Sequence, residues 1–553
     1  MDNLNNEIKA YAVKNALEFG KADAGRILPK LFNHGLKKEN VKNIIIEINK
    51  VVKEINDLNK EQLELLFSRL KQYIKERDEE EKGLSELPNS GKNMVFRLAP
   101  YPSGALHIGN AKTYVLNALY SEKYKAKTLL VMDDTIGSEE KQSIKEAYKL
   151  IEEGFDWLNV KYDKPIIYKS DRLKIYYEYA EKLISLGKAY VCHCIQEVLR
   201  ENRNLGIECK CRKIEMNEQK NRWKEMFSLE EGKAVLRLKT DMAHPNPAFR
   251  DRVLFKISDR VHVRVGKKYR VWPTLEMTWA IDDHLLGITH IIRGNDLMIE
   301  SDMEKYIWDI FNWNYPTIVH TGLVKIEGTG GKLSKSKAQK EVKSGEFEGW
   351  DDPRTWSLQS LMRRGILPES FREFIESIGL NKSDITIPID TLYSINRKKV
   401  DSEALRYSFV ENPVELIFKN ELPLEIVDVA VHPDKKETRE IKVQKIFISK
   451  QDYEKYFWKE VRLIHLFNIK LEEKCSVTSR ENKPIQKIQW VSENVNVRIK
   501  MSDAKWTEGI GEKAVSKIKV GDMIQFERVG FCRFDGKVKV GDKEFYDFWF
   551  GHK

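Results

Sequence analysis

A Pro/Gly-rich loop between a predicted strand and a predicted helix constrains this chain more than any other stretch. The loop runs from Arg97 to Asn110 and reads R-L-A-P-Y-P-S-G-A-L-H-I-G-N. Residues 93–96 before it read as a short buried strand, and residues 105–124 after it show the apolar spacing of a helix. Backbone N–H groups at a helix N-terminus lack intrahelical partners and carry partial positive charge. The sequence therefore predicts an anion-binding loop, suited to a triphosphate, with His107 near the start of the helix.

A second apolar run follows at 128–132 and ends in Asp133 and Asp134. The order strand, helix, strand, with acids at the carboxyl end of the second strand, is typical of a nucleotide-binding α/β fold. Ligands of such folds lie outside the carboxyl ends of the strands, which would place Asp133 in a binding site. The alternative is that the acids cap the next helix.

The loop resembles the HIGH signature of class I aminoacyl-tRNA synthetases, with Asn110 in place of the second histidine. The longer pattern R-x-A-P-x-P-x-G-x-L-H-I-G is similar to that of glutamyl-tRNA synthetases. Two later stretches extend the resemblance: D-D-H-L-L-G-I-T-H-I-I-R at 282–293, and K-L-S-K-S at 332–336, which resembles the KMSKS signature. The motifs keep the family order over residues 93–553. An all-β C-terminal end is the pattern of the archaeal and eukaryotic, glutaminyl-like members.

The resemblance implies an ATP-dependent ligase. In such enzymes L-glutamate attacks ATP to give glutamyl-adenylate, and the 3' end of tRNA then takes the glutamate. His107, Lys332 and Lys335 would be the catalytic residues, because they bring positive charge to the phosphate oxygens. Gly109, Asn110 and Ser334 would complete the ATP site with these three, and Mg²⁺ would accompany the triphosphate.

The resemblance also implies a glutamate pocket. Arg97 and Arg293 would clamp the γ-carboxylate, since a guanidinium matches a carboxylate bidentately. Asp133 would hold the α-ammonium group, and Ala99 and Tyr101 would line the pocket. The alternative for Arg293 is a surface or tRNA-backbone arginine.

Two positions depart from the family pattern. Leu275 stands where a tyrosine is usual, and Trp279 stands where a polar amide is frequent. Our hypothesis is that the Tyr101 phenol replaces the missing tyrosine hydroxyl.

Four of the six cysteines are clustered as Cys192, Cys194, Cys209 and Cys211. Two close pairs of thiols joined by a short loop can supply four sulfurs to a tetrahedral, structural zinc ion. The alternatives are free thiols, and competition from His193 as a ligand.

The predicted fold is a Rossmann-type class I core with additions. The N-terminal helices either pack without chemistry or contact tRNA or a protein. The regions are 1–90, helical extension; 91–188, first half of the catalytic fold; 189–270, acceptor-stem-binding insertion with the cysteines; 271–340, second half with the K-L-S-K-S loop; 341–397, helical stem-contact region; and 398–553, antiparallel β-barrel anticodon-binding region.

Several local predictions go with this division. Asp171 is expected to cap a helix over 171–186 and Gly187 to end it. Residues 355–395 are expected to be helical. Predicted strands lie at 234–238, 262–265, 426–430, 485–491 and 518–520.

Bulk composition agrees with this interpretation. Of 553 residues, 41% are apolar and 33% are charged, and the net charge of +10 suits a polyanionic partner such as RNA. The start of the chain has no apolar signal core, and no run approaches the roughly 20 apolar residues that span a bilayer. We therefore expect a cytoplasmic protein with no membrane partner. A monomer is the default expectation, and the sequence leaves the oligomeric state open.

Three rival functions remain at this point. They are a glutaminyl-tRNA synthetase, an enzyme that transfers activated glutamate to a modified tRNA base, and a non-catalytic tRNA-binding paralogue. Arg293 and the A-P-x-P loop argue against the first, and the predicted anticodon region argues against the second. The intact His107, Lys332 and Lys335 argue against the third. The sequence leaves open whether tRNA(Gln) is charged as well as tRNA(Glu).

Overall fold

The computed structural model of the chain describes residues 2–31, 36, 41–74, 83–137, 142–328, 335–422 and 425–553. The chain divides into two compact units, residues 1–82 and 83–553. The first unit is helical, as its apolar spacing predicts, and its core includes Ile8, Val13, Ile27 and Ile48. Its helices are α1 (Asp2–Phe19), α2 (Ala24–Leu31), α3 (Val41–Asn56) and α4 (Lys60–Leu70).

The second unit begins with alternating strands and helices. They are β1 (Val95–Leu98), α5 (Ile108–Tyr124), β2 (Lys127–Met132), α6 (Lys145–Trp157), β3 (Asp163–Tyr168) and α7 (Leu173–Ser185). The helix after the loop starts later than predicted, because His107 occupies the N-cap position. Asp171 does not cap α7, whose N-cap is Arg172, but Gly187 follows its end with a φ of +67° as predicted.

A four-stranded antiparallel sheet with two helices follows. Its elements are β4 (Ala189–Cys192), α8 (Gln196–Leu205), α9 (Met216–Glu225), β5 (Val235–Leu238), β6 (Val253–Ile257) and β7 (Val271–Pro273). The predicted strand at 234–238 is confirmed as β5. The predicted strand at 262–265 is wrong, because His262 pairs only with Gly266 across a turn.

The chain then returns to the first sheet. The elements are α10 (Leu275–Leu285), β8 (His290–Gly294), α11 (Met298–Phe311), β9 (Thr317–Thr321), β10 (Val324–Glu327) and α12 (Lys335–Ser344). The sheet has the order β3-β2-β1-β8-β9, and every neighbouring pair is parallel. The order reverses between β1 and β8, which is where such sheets form a ligand crevice at the carboxyl ends of the strands.

Three helices and a strand come next: α13 (Leu358–Arg363), α14 (Pro368–Ile378), β11 (Ile385–Pro388) and α15 (Asp390–Val400). The helical prediction for this stretch is confirmed except at β11, which pairs in parallel with β10. Phe371, Phe374 and Leu392 pack into the same core as α5 and β1.

The C-terminal part is rich in strands, as expected. They are β12 (Leu405–Tyr407), β13 (Phe409–Glu411), β14 (Pro413–Glu415), β15 (Glu425–Ala430), β16 (Thr438–Val443), β17 (Phe447–Ser449), β18 (Glu460–Leu463), β19 (Asn468–Lys470), β20 (Ser476–Ser479), β21 (Lys487–Ile488), β22 (Asn494–Lys500), β23 (Trp506–Glu512), β24 (Met523–Phe526), β25 (Gly530–Val540) and β26 (Lys543–His552), with one helix, α16 (Lys450–Tyr456). They form sheets of seven and four strands and two strand pairs, with mostly antiparallel pairing. No closed barrel is found within the described residues.

Of the three strands predicted in this part, one is confirmed, one is confirmed in part and one is wrong. The strand at 426–430 is confirmed as β15, and only two residues of 485–491 are strand. The predicted strand at 518–520 is wrong, since it follows a 3₁₀ turn at Lys513–Lys517 and leads into a turn at Gly521. None of the helices in the described part of the chain combines the length and the apolar character needed to cross a membrane.

Candidate active site

His107 is fixed at the start of α5 by its own cap. Its Nδ1 accepts a hydrogen bond from the Gly109 N–H at 3.1 Å, and the Asn110 side chain accepts one from the His107 N–H at 2.9 Å. Burial and the positive charge of Lys335 lower the pKa of His107 to about 3. The imidazole is therefore neutral near pH 7, and because Nδ1 accepts, Nε2 carries the proton and is available to donate.

The loop before His107 also depends on a close approach of two segments. Gly104 has a φ of +155°, and a Cβ there would collide with the Trp350 ring. The main chain on either side of His107 bonds to the segment before α13, with Ile108 donating to the Trp356 carbonyl at 3.0 Å and Leu358 donating to the Leu106 carbonyl at 2.8 Å. These contacts hold the signature loop against the segment that follows the K-L-S-K-S stretch.

Lys335, the first residue of α12, lies beside this loop. Its Nζ is 3.4 Å from the carbonyl oxygen of Tyr101, and withdrawal from water lowers the pKa of its amine to about 8. Its charge is close enough to affect the His107 ring, so the two signature loops share one site. Lys332 and Ser334 lie outside the described residues.

A cavity of about 740 Å³ opens next to this pair. It lies at the switch point of the sheet, between β1, β8 and the start of α5. Of the candidate residues, it is lined by Arg97, Ala99, His107, Gly109, Asn110 and Arg293. Tyr101, Asp133 and Lys335 are not among the described residues that line it.

Arg97 and Arg293 both reach the cavity, and each is already paired with a buried acid. Arg97 donates to Asp283, with Nη2 at 3.0 Å from Oδ2 and Nε at 2.5 Å from Oδ1. Burial disfavours the charge of Arg97, but the Asp283 carboxylate outweighs this and raises the pKa of the guanidinium. Arg293 donates both of its Nη groups to Glu304, at 2.8 and 2.6 Å. These ion pairs therefore fix the orientation of both arginines without a ligand.

Asp133 lies deeper, at the end of β2. Its N–H donates to the Pro100 carbonyl at 3.0 Å, which joins the strand end to the signature loop. Its carboxylate forms an ion pair of 2.8 Å with the fully buried Lys169. The capping alternative is wrong, because α6 starts only at Lys145 with Ile144 as its N-cap. Burial and the nearby Asp133 charge raise the pKa of Tyr101, so its phenol stays protonated.

The sequence reasoning missed the partners of these residues. Asp283 and Asp282 were visible in the D-D-H stretch, but only the fold shows that Asp283 binds Arg97 while Asp282 accepts from Arg172 at 2.8 Å and Tyr176 at 2.6 Å. Glu304 and Lys169 carry no motif signal. A buried charge requires a partner of opposite charge. The sequence positions of Arg97 and Arg293 therefore predict that each arginine pairs with a buried carboxylate, but they do not predict which carboxylate it is.

The four cysteines of the insertion do gather. Their sulfur atoms all lie within 4.8 Å of one another, with Cys192–Cys209 at 3.5 Å and Cys194–Cys209 at 3.2 Å. A tetrahedral ion with Zn–S bonds of about 2.3 Å places its sulfurs about 3.8 Å apart, so the arrangement fits a metal ion. Cys211 N–H also donates to Cys209 Sγ at 3.4 Å. His193 is not part of the described cluster.

Comparisons with known proteins agree with this geometry. Residues 93–402 match the family model described as tRNA synthetases class I (E and Q), catalytic domain. The chain belongs to this family. Residues 404–489 and 487–535 match two models of the anti-codon binding domain of the same synthetases.

Curated relatives match over nearly the whole chain. The glutamate–tRNA ligase of Pyrococcus abyssi is 41% identical, covering 95% of this chain and 96% of the relative. That of Methanocaldococcus jannaschii is 37% identical, covering 97% and 98%. A crystal structure of a glutamate tRNA ligase from Elizabethkingia meningosepticum matches at 18% identity with a TM-score of 0.41, over 57% of this chain and 70% of that one.

Proposed function

We propose that this synthetase is a glutamate–tRNA ligase. It would use ATP to convert L-glutamate to glutamyl-adenylate and would pass the glutamate to the 3' end of tRNA(Glu). The observation that carries the proposal is the cavity at the sheet switch point, which is lined by the buried Arg97 and Arg293 and by His107, whose ring senses the charge of Lys335. Relatives with this name cover 95% or more of the chain.

The phosphate side of the site suits a charge-stabilising role. The α-carboxylate of glutamate attacks the α-phosphorus of ATP, and pyrophosphate leaves, so the protein need not supply a nucleophile. The neutral His107 ring donates through Nε2, and the Lys335 ammonium adds positive charge where phosphate oxygens gain negative charge. Mg²⁺ would accompany the nucleotide and neutralise part of its charge, and Lys332 and Ser334 would add contacts from the K-L-S-K-S stretch.

The glutamate side would recognise the γ-carboxylate through Arg97 and Arg293. Each arginine has N–H groups left after it binds its buried acid, as the pattern of donors to Asp283 and Glu304 shows. Asp133 would attract the α-ammonium group, in competition with Lys169. Tyr101 remains our candidate for the missing tyrosine hydroxyl.

The remaining regions would bind tRNA. We assign the acceptor end to the insertion at 189–270 and the anticodon to the strand-rich region from 398 onward. In that region Trp458 is 64% exposed, and Lys470 lies 6.0 Å from its ring, which is a suitable face for stacking an unpaired base.

The cysteine cluster would hold a structural zinc ion, since four thiolates leave no open position for catalysis. We place the enzyme in the cytoplasm, as a monomer.

The test is pyrophosphate exchange by the full chain, with and without tRNA, followed by analysis of the tRNA 3' ends. We expect exchange that depends on glutamate, and glutamyl esters on tRNA(Glu). Esters on purified tRNA(Gln) as well would identify a broader specificity. Exchange with glutamine alone, esters on an internal base, or no exchange by folded protein saturated with tRNA would each reject the proposal in favour of one of the rival functions.

A further inference from the structure

Trp279 lies where three buried cations converge. The guanidinium carbons of Arg97 and Arg293 are 4.7 and 5.1 Å from the centre of its ring, and the Lys169 ammonium is 5.1 Å from it. An aromatic face attracts a cation within about 6 Å, and more strongly when both are removed from water. The ring therefore holds the two proposed glutamate-binding arginines in place, together with the lysine that pairs with Asp133.

Helix α10 aligns this group. Trp279 and Asp283 are four residues apart and so lie on the same face of the helix, and both contact Arg97. The arginine is thus held from one side by an ion pair and from another by an aromatic ring. Helix α10 supplies both the ion pair and the ring contact, because residues four apart lie on the same face of a helix.

The indole N–H of Trp279 is a buried donor with no acceptor among the described residues. The side chain is 5% exposed and lines the cavity, yet Nε1 has no hydrogen-bond partner. Leaving a buried donor without a partner destabilises the fold, so such a donor on a side chain that lines a binding cavity points to a ligand acceptor.

The neighbouring arginines leave donors of the same kind. Both Nη groups of Arg293 donate to Glu304. Its Nε is buried and has no hydrogen-bond partner in the described part of the chain. The Nε and Nη2 groups of Arg97 donate to Asp283, so its Nη1 group lies outside the ion pair. Trp279 Nε1, Arg293 Nε and Arg97 Nη1 are thus three N–H groups around the ring that these contacts leave for a ligand.

We propose that Trp279 is a specificity-determining residue, whose indole N–H donates to the γ-carboxylate of glutamate while its ring positions Arg97 and Arg293. This inference rests on the proposed function. A carboxylate offers acceptors only and matches such a group of donors, whereas the NH₂ of a side-chain amide would face donors. The cavity lining also includes the Asp296 carboxylate and Asn117, whose Oδ1 is a buried acceptor without a hydrogen-bond partner among the described residues. The glutamine measurements below test whether that acceptor reaches the same ligand group.

The experiment compares Trp279→Phe with a matched control, Trp272→Phe. Phenylalanine keeps an aromatic face but has no N–H. Trp272 is also fully buried with an unpartnered indole N–H, but it is not among the described residues that line the cavity. Pyrophosphate exchange is measured with tRNA present, over ranges of glutamate, glutamine and ATP, and melting temperatures show that each variant folds.

For Trp279→Phe we expect the KM for glutamate to rise about tenfold, as for loss of a hydrogen bond to a charged group. The preference for glutamate over glutamine should fall by a similar factor, and the KM for ATP should stay within twofold. Trp272→Phe should leave all three quantities within twofold. In Trp279→Gln, the amide adds an acceptor, so the preference for glutamate should fall further than in Trp279→Phe.

A KM for glutamate unchanged in Trp279→Phe would overturn the inference, as would an equal rise in Trp272→Phe. A loss of kcat with unchanged KM would also overturn it, because it would indicate a role other than glutamate recognition. If the unmodified chain shows no glutamate-dependent exchange, the proposed function fails first. If the unmodified chain is active but Trp279→Phe behaves like it, only the role of Trp279 fails.

Discussion

Lys335 gives the sharpest prediction, because its environment sets the pH at which its charge is lost. Withdrawal from water lowers the pKa of the amine to about 8 in the free protein. About 90% of the side chains are then charged at pH 7 and about 10% at pH 9. If the ammonium contacts phosphate oxygens, kcat/KM for ATP should fall above pH 8, approaching tenfold per pH unit, since this ratio reports ionisations of the free enzyme.

The assay is pyrophosphate exchange at pH 6.5–10, with glutamate and tRNA saturating. Lys335→Arg is the main control, because a guanidinium stays charged across this range and should remove the alkaline decline. The ratio of the two profiles cancels the titration of ATP and of other groups. Loss of the Lys335 charge does not itself destabilise the fold. Because its folded pKa is below the unfolded value, its contribution to stability rises as the pH increases from about 8 toward 10.4.

Removal of the side chain should have a larger effect. Lys335→Ala should lower kcat by about 10²-fold or more at pH 7, the size expected for a lost charge in the transition state. Lys337→Ala is the matched control on the same helix, since Lys337 is 70% exposed and pairs with Glu341 at 3.6 Å; its effect should be below twofold. A flat profile for the unmodified chain up to pH 10, or near-normal turnover in Lys335→Ala, would refute the assigned role.

Three further predictions concern other parts of the molecule. Arg293→Ala should reduce the preference for glutamate over glutamine in exchange assays, and it should also lower the melting temperature, because Glu304 is left buried without its partner; an unchanged preference would contradict the assignment. Cys209→Ser should reduce bound zinc from about one ion per chain to none in metal analysis, whereas Cys532→Ser, outside the cluster, should retain it; zinc-free unmodified protein would exclude the metal. Tyr101→Phe should raise the KM for glutamate if the phenol serves the pocket, and an unchanged KM would count against it.

The overall architecture could be predicted because its signals are local or shared with a family. The strand, loop and helix around His107 follow from the order of apolar, Pro/Gly and helical stretches. Errors arise where a local pattern lacks tertiary support. Residues 262–265 alternate like a strand but lie in a turn that His262 and Gly266 close by donating main-chain hydrogen bonds to each other, and the His262 ring contacts the main-chain oxygen of Asp134 at 2.6 Å.

The candidate site could be predicted in part. Motif positions identified Arg97, His107, Arg293 and Lys335, which the fold brings to one cavity or beside it. The acids that hold these side chains lie on other secondary-structure elements, as Glu304 does for Arg293. No pattern of sequence spacing predicts which residues form such pairs. The sequence marked Trp279 only as an unusual residue. Its contacts with three cations become visible only when β1, β8, the segment before α7, and α10 are assembled.

We expect one crevice to hold an acid-binding group of arginines beside a phosphate-binding pair. The most direct measurement is a crystal structure of the full chain with a non-hydrolysable glutamyl-adenylate analogue. We expect the γ-carboxylate within hydrogen-bonding distance of Arg97 and Arg293, and the phosphate-mimicking group beside His107 and Lys335. An analogue bound elsewhere, or bound with its acid side chain away from both arginines, would contradict the account.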